Sequence, residues 1–328
     1  MIPHSKPAIG AEEQTAVARV LASGHLAQGP EVEAFEEEIA AFTGRRFGVA
    51  VSSGTAALHL ALAVSGIGAQ DTVALPSYAC AALLQPLLWL GATPVLCDAA
   101  AGYHMSANAI PATVRTAIIP HLFGAAAPLP DTDCFIEDIA QSIGGATGRA
   151  GRVTIASFYA TKLMTTGEGG MLLTDDAGLA EQARDLRDYD GRERHHIRYA
   201  CKMTEFQAAM GRVQLRRLPA FIVRRQAIAA RYTEAFQGLP LRLPPDGNHV
   251  FFRYVVETAV RSAFVAHLQA CGVDAKRPVH HPIHHDLGGG EFPGAEHAHA
   301  FCVSLPIYPA LTDTEIETVI ASVLQFHA

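Results

Sequence analysis

Apolar residues in the N-terminal part of the chain switch repeatedly between the period of a helix and short unbroken runs. AEEQTAVARVLASG (11–24) sets Val17, Val20 and Leu21 on one face and ends at Gly24, a normal helix stop. PEVEAFEEEIAAFTG (30–44) begins with Pro30, aligns Val32, Phe35, Ile39 and Phe42, and stops at Gly44. FGVAVS (47–52) then reads as a short buried strand, GTAALHLALAVSG (54–66) as a helix and TVALP (72–76) as another strand. A helix over YACAALLQPLLWLG (78–91) and a strand TPVLC (93–97) continue the alternation. TAIIPHL, DCFIED, TIASFY and GGMLLTD are further strand candidates. Strands alternating with helices predict an α/β fold with a mostly parallel sheet covered by helices on both faces.

Near residue 204 the texture changes. TEFQAAMGRVQLRRLPAFIVRRQAIAARYTEAF is rich in helix formers and arginine and predicts long helices. Acidic and apolar residues interleave with its basic run, which suits a solvated or subunit-facing helix better than a nucleic-acid stripe. HVFFRYVVE, FVAHLQACGV and TDTEIETVIASVLQF read as strand, helix and helix. The expected division is a large domain over 1–227 and a smaller α+β domain over 228–328, with the first residues free to join the smaller one.

Composition narrows the function classes. The 328 residues are 49% hydrophobic and 17% charged, as in ordinary globular proteins. A formal charge of -7 argues against nucleic acid as the main partner. MIPHSKPAIGAEEQ lacks the basic start and apolar run of a signal peptide, and Gln, Pro and Gly interrupt AALLQPLLWLGATPVL, so a cytoplasmic protein without a membrane span is expected. The six cysteines are scattered without a C-x-x-C pair, which predicts reduced thiols. RPVHHPIHHDL (277–287) holds four of the sixteen histidines. It lacks regular ligand spacing, so it reads as a pocket-rim loop and no metal is expected.

The loops at the carboxyl ends of the strands are where such sheets bind ligands. Neither G-x-G-x-x-G nor a P-loop occurs in them. SSGT (52–55) lies between a strand and a helix, where it is either a plain N-cap or an anion site made by backbone N–H groups. Asp138 stands just past a strand with Gln141 one helical turn on, an acid and an amide able to hold a heteroaromatic ring. Lys162, five residues after Ser157, sits among small polar residues before Gly-Glu-Gly-Gly. A lysine desolvated in a pocket loses its proton readily and can form a Schiff base. An anion site, an acid for a ring nitrogen and such a lysine together match pyridoxal 5'-phosphate.

The chain also resembles the DegT/DnrJ/EryC1/StrS family of sugar aminotransferases, within fold-type I of the pyridoxal-phosphate enzymes. Nearly the whole length carries the likeness: KPAIGAEE, GHLAQGPEVEAFEEEIA, VAVSSGTAALHLAL, LGATPVLCD, IIPHLFG, IEDIAQSIGG, SFYATKLMTTGEGGML, KMTEFQAAMGRVQL and FPGAEHAHAFCVSLPIYPALTDTEI. The resemblance implies that Lys162 bonds the cofactor covalently and shuttles a proton. It implies further that Asp138 bonds the ring nitrogen, that Gln141 approaches the ring hydroxyl, and that Gly54, Thr55 and Ser157 hold the phosphate. Relatives that dehydrate sugars have histidine in place of the lysine, so Lys162 favours amino transfer.

Two departures stand out. Where the family places an aromatic residue over the ring, PSYACAALL has Cys80, with Tyr78 two residues earlier. Where a family asparagine crosses the dimer to the neighbour's phosphate, RYACKM has Ala200, with Lys202 at the basic position. The expected activity is transfer of an amino group from glutamate or glutamine to a keto sugar, nucleotide-linked, by a homodimer with shared active sites. A keto cyclitol acceptor in antibiotic assembly and a non-catalytic regulatory protein of the same fold are the alternatives.

Overall fold

The computed structural model describes residues 1–131, 134–191, 193–245, 247–288 and 290–328. Two N-terminal helices, α1 (Ala11–Ser23) and α2 (Pro30–Thr43), precede the first strand. A seven-stranded sheet follows: β1 (Phe47–Val51), β2 (Thr72–Pro76), β3 (Thr93–Cys97), β4 (Thr116–Pro120), β5 (Phe135–Asp138), β6 (Val153–Ser157) and β7 (Gly170–Thr174). Asp133, within the DCFIED candidate, lies outside the described residues. The spatial order is β1-β7-β6-β5-β4-β2-β3. The β2–β3, β2–β4, β4–β5 and β5–β6 pairings are parallel, and β7 runs antiparallel to both β1 and β6.

Most of these strands are buried, as unbroken runs such as VTIAS and GMLLT require. One face packs on α3 (Gly54–Val64), α4 (Gln85–Leu90) and α5 (Ala177–Leu186), with Leu58, Leu60 and Leu62 fully buried there. The other packs Phe35, Ile39, Phe158 and Leu218 from α2, the β6–β7 connection and α6 (Glu205–Phe236).

Two expectations change. The helix predicted over 78–91 is a short 3-10 turn at Ala81–Leu83 followed by α4, because Pro86 has no N–H to donate and is tolerated only in a first helical turn. On α1, Leu21 is 56% exposed and the buried positions are Glu13 and Val20. Glu13 turns inward because Gln214 and Arg217 of α6 donate to it.

The 32-residue α6 is one continuous helix despite Pro219. Its basic run is largely matched within the chain, Arg212 by Glu31 and Glu38, Arg217 by Glu13, and Arg231 by Asp313 and Glu317. Its last turns carry Ile228, Tyr232 and Phe236 into a second core. There β8 (Tyr254–Glu257) pairs antiparallel with β9 (Cys302–Leu305), beside α7 (Arg261–Ala270) and α10 (Asp313–His327). Ile2 joins this core, donating its N–H to Gly272 and accepting from Asp274. Two short helices, α8 (His284–Leu287) and α9 (Pro293–Phe301), complete the α-helices among the described residues. No described helix is long and apolar enough to cross a membrane.

Candidate active site

The topology gathers the chemistry at one sheet edge. The carboxyl ends of β1, β2, β4, β5 and β6 deliver Ser53, Ala79, Leu122, Asp138 and Ser157 to a single cavity of about 230 Å³. Because β7 is antiparallel, it starts at that same edge, and the β6–β7 connection brings Lys162 into the lining. Gly54, Thr55, Cys80 and Gln141 also line it.

At one end of the cavity lies the start of α3. Ser53 caps the helix by accepting the Ala56 N–H at 3.0 Å. The N–H groups of Gly54 and Thr55, in the first turn, have no acceptor within the helix. Gly54 packs on Ser157 so closely that a Cβ there would stand 2.7 Å from the Ser157 Cβ. Gly170, at the head of β7, lies beneath both: its added Cβ would sit 2.2 Å from the Ser53 carbonyl oxygen and 2.7 Å from the Gly54 nitrogen. Backbone N–H groups, a hydroxyl and a helix N-terminus thus form a cradle suited to a phosphate.

Asp138, in the same lining, is 7% exposed. Its Oδ1 accepts the Ala140 N–H at 2.8 Å, fixing the carboxyl group. Burial raises its affinity for a proton, an effect opposed by that N–H and by the nearby Lys162 and His121. A carboxyl group in this state is stabilised as an anion when a cation, such as a protonated ring nitrogen, meets it. Burial likewise lowers the proton affinity of Lys162, against the attraction of Asp138. The Lys162 Nζ lies 5.3 Å from the centre of the Phe252 ring. Its loop is pinned by the Phe158 N–H to Gly169, the Thr166 N–H to Phe158, and the Thr165 N–H to Gln214 of α6. Gln141 turns its Oε1 to the Phe123 N–H at 2.8 Å, which leaves its amide N–H₂ for a ligand. Phe123 adopts a positive φ of 62°, a strained backbone of the kind found at binding sites.

Not every candidate reaches this cavity. Cys80 lines it, but Tyr78 is fully buried elsewhere, its ring 6.4 Å from Tyr103 and 6.5 Å from Phe123. Lys202 is ion-paired with Asp188 at 2.9 Å. The histidines of 280–285 are not among the residues that line this cavity or the larger one beside it.

Other residues had no motif to mark them. Glu137, next to Asp138 but on the opposite face of β5, is buried and accepts from His121 and from the N–H groups of Gly148, Ala150 and Gly151. Burial opposes its charge, yet His121 and the Gly148 amide outweigh that and hold its pKa down to about 2. The two-residue alternation of a strand was the available signal for this anchor. Phe252 comes from the β8 side of the molecule and gives no local signal at all.

A family model described as the DegT/DnrJ/EryC1/StrS aminotransferase family matches residues 7–324. The chain belongs to this family. It is 33% identical over 377 aligned residues to the spore coat polysaccharide biosynthesis protein SpsC of Bacillus subtilis, covering 98% of this chain and 96% of that protein. Its structure superposes on the aminotransferase TlmJ from Streptoalloteichus hindustanus with a TM-score of 0.90, at 31% identity and 98% coverage of both chains. DesV of S. venezuelae, solved in complex with a ketimine intermediate, gives a TM-score of 0.89 at 33% identity, covering 97% of this chain and 94% of that one. Membership in the DegT/DnrJ/EryC1/StrS family makes this chain an aminotransferase of fold-type I architecture, and a member of a sugar aminotransferase family.

Proposed function

We propose that this aminotransferase uses pyridoxal 5'-phosphate to transfer an amino group from glutamate or glutamine to a nucleotide-linked keto sugar. The observation that carries the proposal is the single cavity shared by the Lys162 amine, the Asp138 carboxyl group and the N-terminus of α3. The donor set fits the cofactor: Gly54, Thr55 and Ser157 for its phosphate, Asp138 for its ring nitrogen, Gln141 for its ring hydroxyl. When bound, pyridoxal phosphate supplies an electron sink for the carbon that gains or loses the amino group. Burial lowers the proton affinity of Lys162, which favours the neutral amine that can act as a nucleophile and carry a proton between adjacent carbons. Asp138 holds the proton on the ring nitrogen by a charge-assisted hydrogen bond. Cys80 and Leu83 close the cavity wall.

A larger cavity of about 510 Å³ shares Leu122 with the first and is lined by His104, Arg242, His249 and Arg253. Its size and the guanidinium groups of Arg242 and Arg253 suit a sugar carrying phosphate groups. The polysaccharide-biosynthesis role in the name of SpsC points to the same acceptor class. The active unit proposed is a cytoplasmic homodimer, with Lys202 offered to the partner's phosphate. Exposed apolar side chains such as Trp89 and Ile197 support an association surface.

Borohydride reduction of the yellow protein should fix the label on Lys162, and a label on another lysine would refute the site. A screen of nucleotide keto sugars with glutamate, read by product mass, tests the substrate class. Amination of free keto cyclitols alone would overturn it.

A further inference from the structure

Away from the Lys162 cavity, α8 and α9 bring three ligand-type side chains together. The Nε2 atoms of His284 and His285 both approach one oxygen, Oε1 of Glu296, at 3.0 and 2.8 Å. All three atoms lie within 4.8 Å of one another, the one such His/Cys/Asp/Glu group among the described residues. The carboxylate of this group comes from the following helix, while Asp286, inside the histidine-rich run, pairs with His281. We propose that His284, His285 and Glu296 form a binding site for a divalent transition metal, zinc being the ion they suit best.

Two imidazoles and one carboxylate match the borderline-soft Zn²⁺, whereas Mg²⁺ and Ca²⁺ take oxygen ligands. Ligands about 2.0–2.1 Å from a tetrahedral zinc stand roughly 3.3–3.4 Å apart. The two nitrogen–oxygen pairs are already shorter than that, so closing the site needs only a modest approach of the remaining edge and a small retreat of the carboxylate. The nearest other imidazoles are committed elsewhere, His281 to Asp286 at 2.8 Å and His299 to Arg277 at 3.0 Å. Water is then the fourth ligand.

The site's position links it to the Lys162 cavity. Ile283, adjacent to His284, donates its N–H to the Ser77 carbonyl at 2.9 Å and is fully buried in the core that contains Ala79 and Leu83. Those two residues line the Lys162 cavity. Zinc tying α8 to α9 braces the segment that backs this wall.

The test uses the full-length protein, treated with EDTA, dialysed, and titrated with ZnCl₂ against a chromophoric chelator. One equivalent should bind, with zinc raising the Tm. Glu296→Gln should weaken binding by at least about tenfold, as losses even beyond the ligand set do, and should abolish the rise in Tm. Glu296 is half exposed, so this variant keeps the fold; His285→Asn provides an independent second ligand loss. Equal zinc affinity in wild type and both variants would show capture elsewhere on the histidine-rich surface and overturn the site. Failure of the wild type to bind zinc more tightly than about 10 µM, a weak free energy for three protein ligands, would overturn it equally.

Discussion

Replacing Gly54 with alanine puts the cradle at the start of α3 to a quantitative test. The added methyl group would meet the Ser157 Cβ at 2.7 Å and its Oγ at 3.0 Å. Two carbons rest comfortably at about 3.5 Å or more, so an overlap of roughly 0.8 Å must be relieved by backbone movement. Overpacking of that kind costs about 1–3 kcal/mol of stability. The movement also drives the Ser157 hydroxyl and the first N–H groups of α3 apart. Losing one hydrogen bond to a charged group is worth about 1.5–3 kcal/mol. At about 1.4 kcal/mol per decade, pyridoxal phosphate should bind about ten- to a hundredfold more weakly. Absorbance titration of the cofactor-free protein measures the affinity, and thermal melting reports the stability separately. Gly68→Ala serves as the control, because no atom lies within 4 Å of its added carbon. Wild-type cofactor affinity in a folded Gly54→Ala protein would refute the cradle.

Asp138→Asn should retain cofactor yet lose several decades of kcat, each worth about 1.4 kcal/mol of barrier; near-normal turnover would remove Asp138 from the chemistry. Glu137, held down to about 2 in the folded protein, stabilises the fold above its unfolded value of 4.5, and that contribution is lost as the pH falls from 4.5 towards 2. Denaturant titrations across that window should show the loss, on the order of 3 kcal/mol, and Glu137→Gln should flatten the dependence; an unchanged pH profile in the variant would assign the loss to other groups. Lys202→Ala should weaken cofactor binding more at low salt than at high salt, as a weakly screened charge contact requires. Unchanged affinity would leave Lys202 with its Asp188 pair alone.

Local pattern carried much of the architecture. Strand positions were readable because short apolar runs between glycines and polar turns have few other uses, and Asp138, Ser157 and Lys162 were visible because they interrupt that texture. The antiparallel course of β7 was not readable, since its GMLLT run is equally suited to either direction. Side-chain type misled where a distant partner decides burial: Glu13 goes inside for Gln214 and Arg217, and Leu21 goes outside. Tyr78 and Cys80 lie too close in sequence for pattern to separate them, and only the packing of Tyr103 and Phe123 assigns Tyr78 to a different cluster. Phe252 and Glu296 reach their clusters through tertiary packing that no local window contains.

The position of β7 between β1 and β6 has a consequence for biosynthesis. Phe47 pairs with Thr174 and Val51 with Gly170, so the first strand made waits for the last strand of its sheet. Such distant pairing delays folding, because a long loop must close before any contact rewards it. On the ribosome, a nascent chain halted before Gly170 can form the parallel pairs β2–β3 and β4–β5, but β1 has no neighbour and the floor beneath Ser53 and Gly54 is missing. Cofactor binding is thus timed to the completion of the whole sheet, and truncated chains present unpaired strand edges to the cell's quality control rather than a partial binding site.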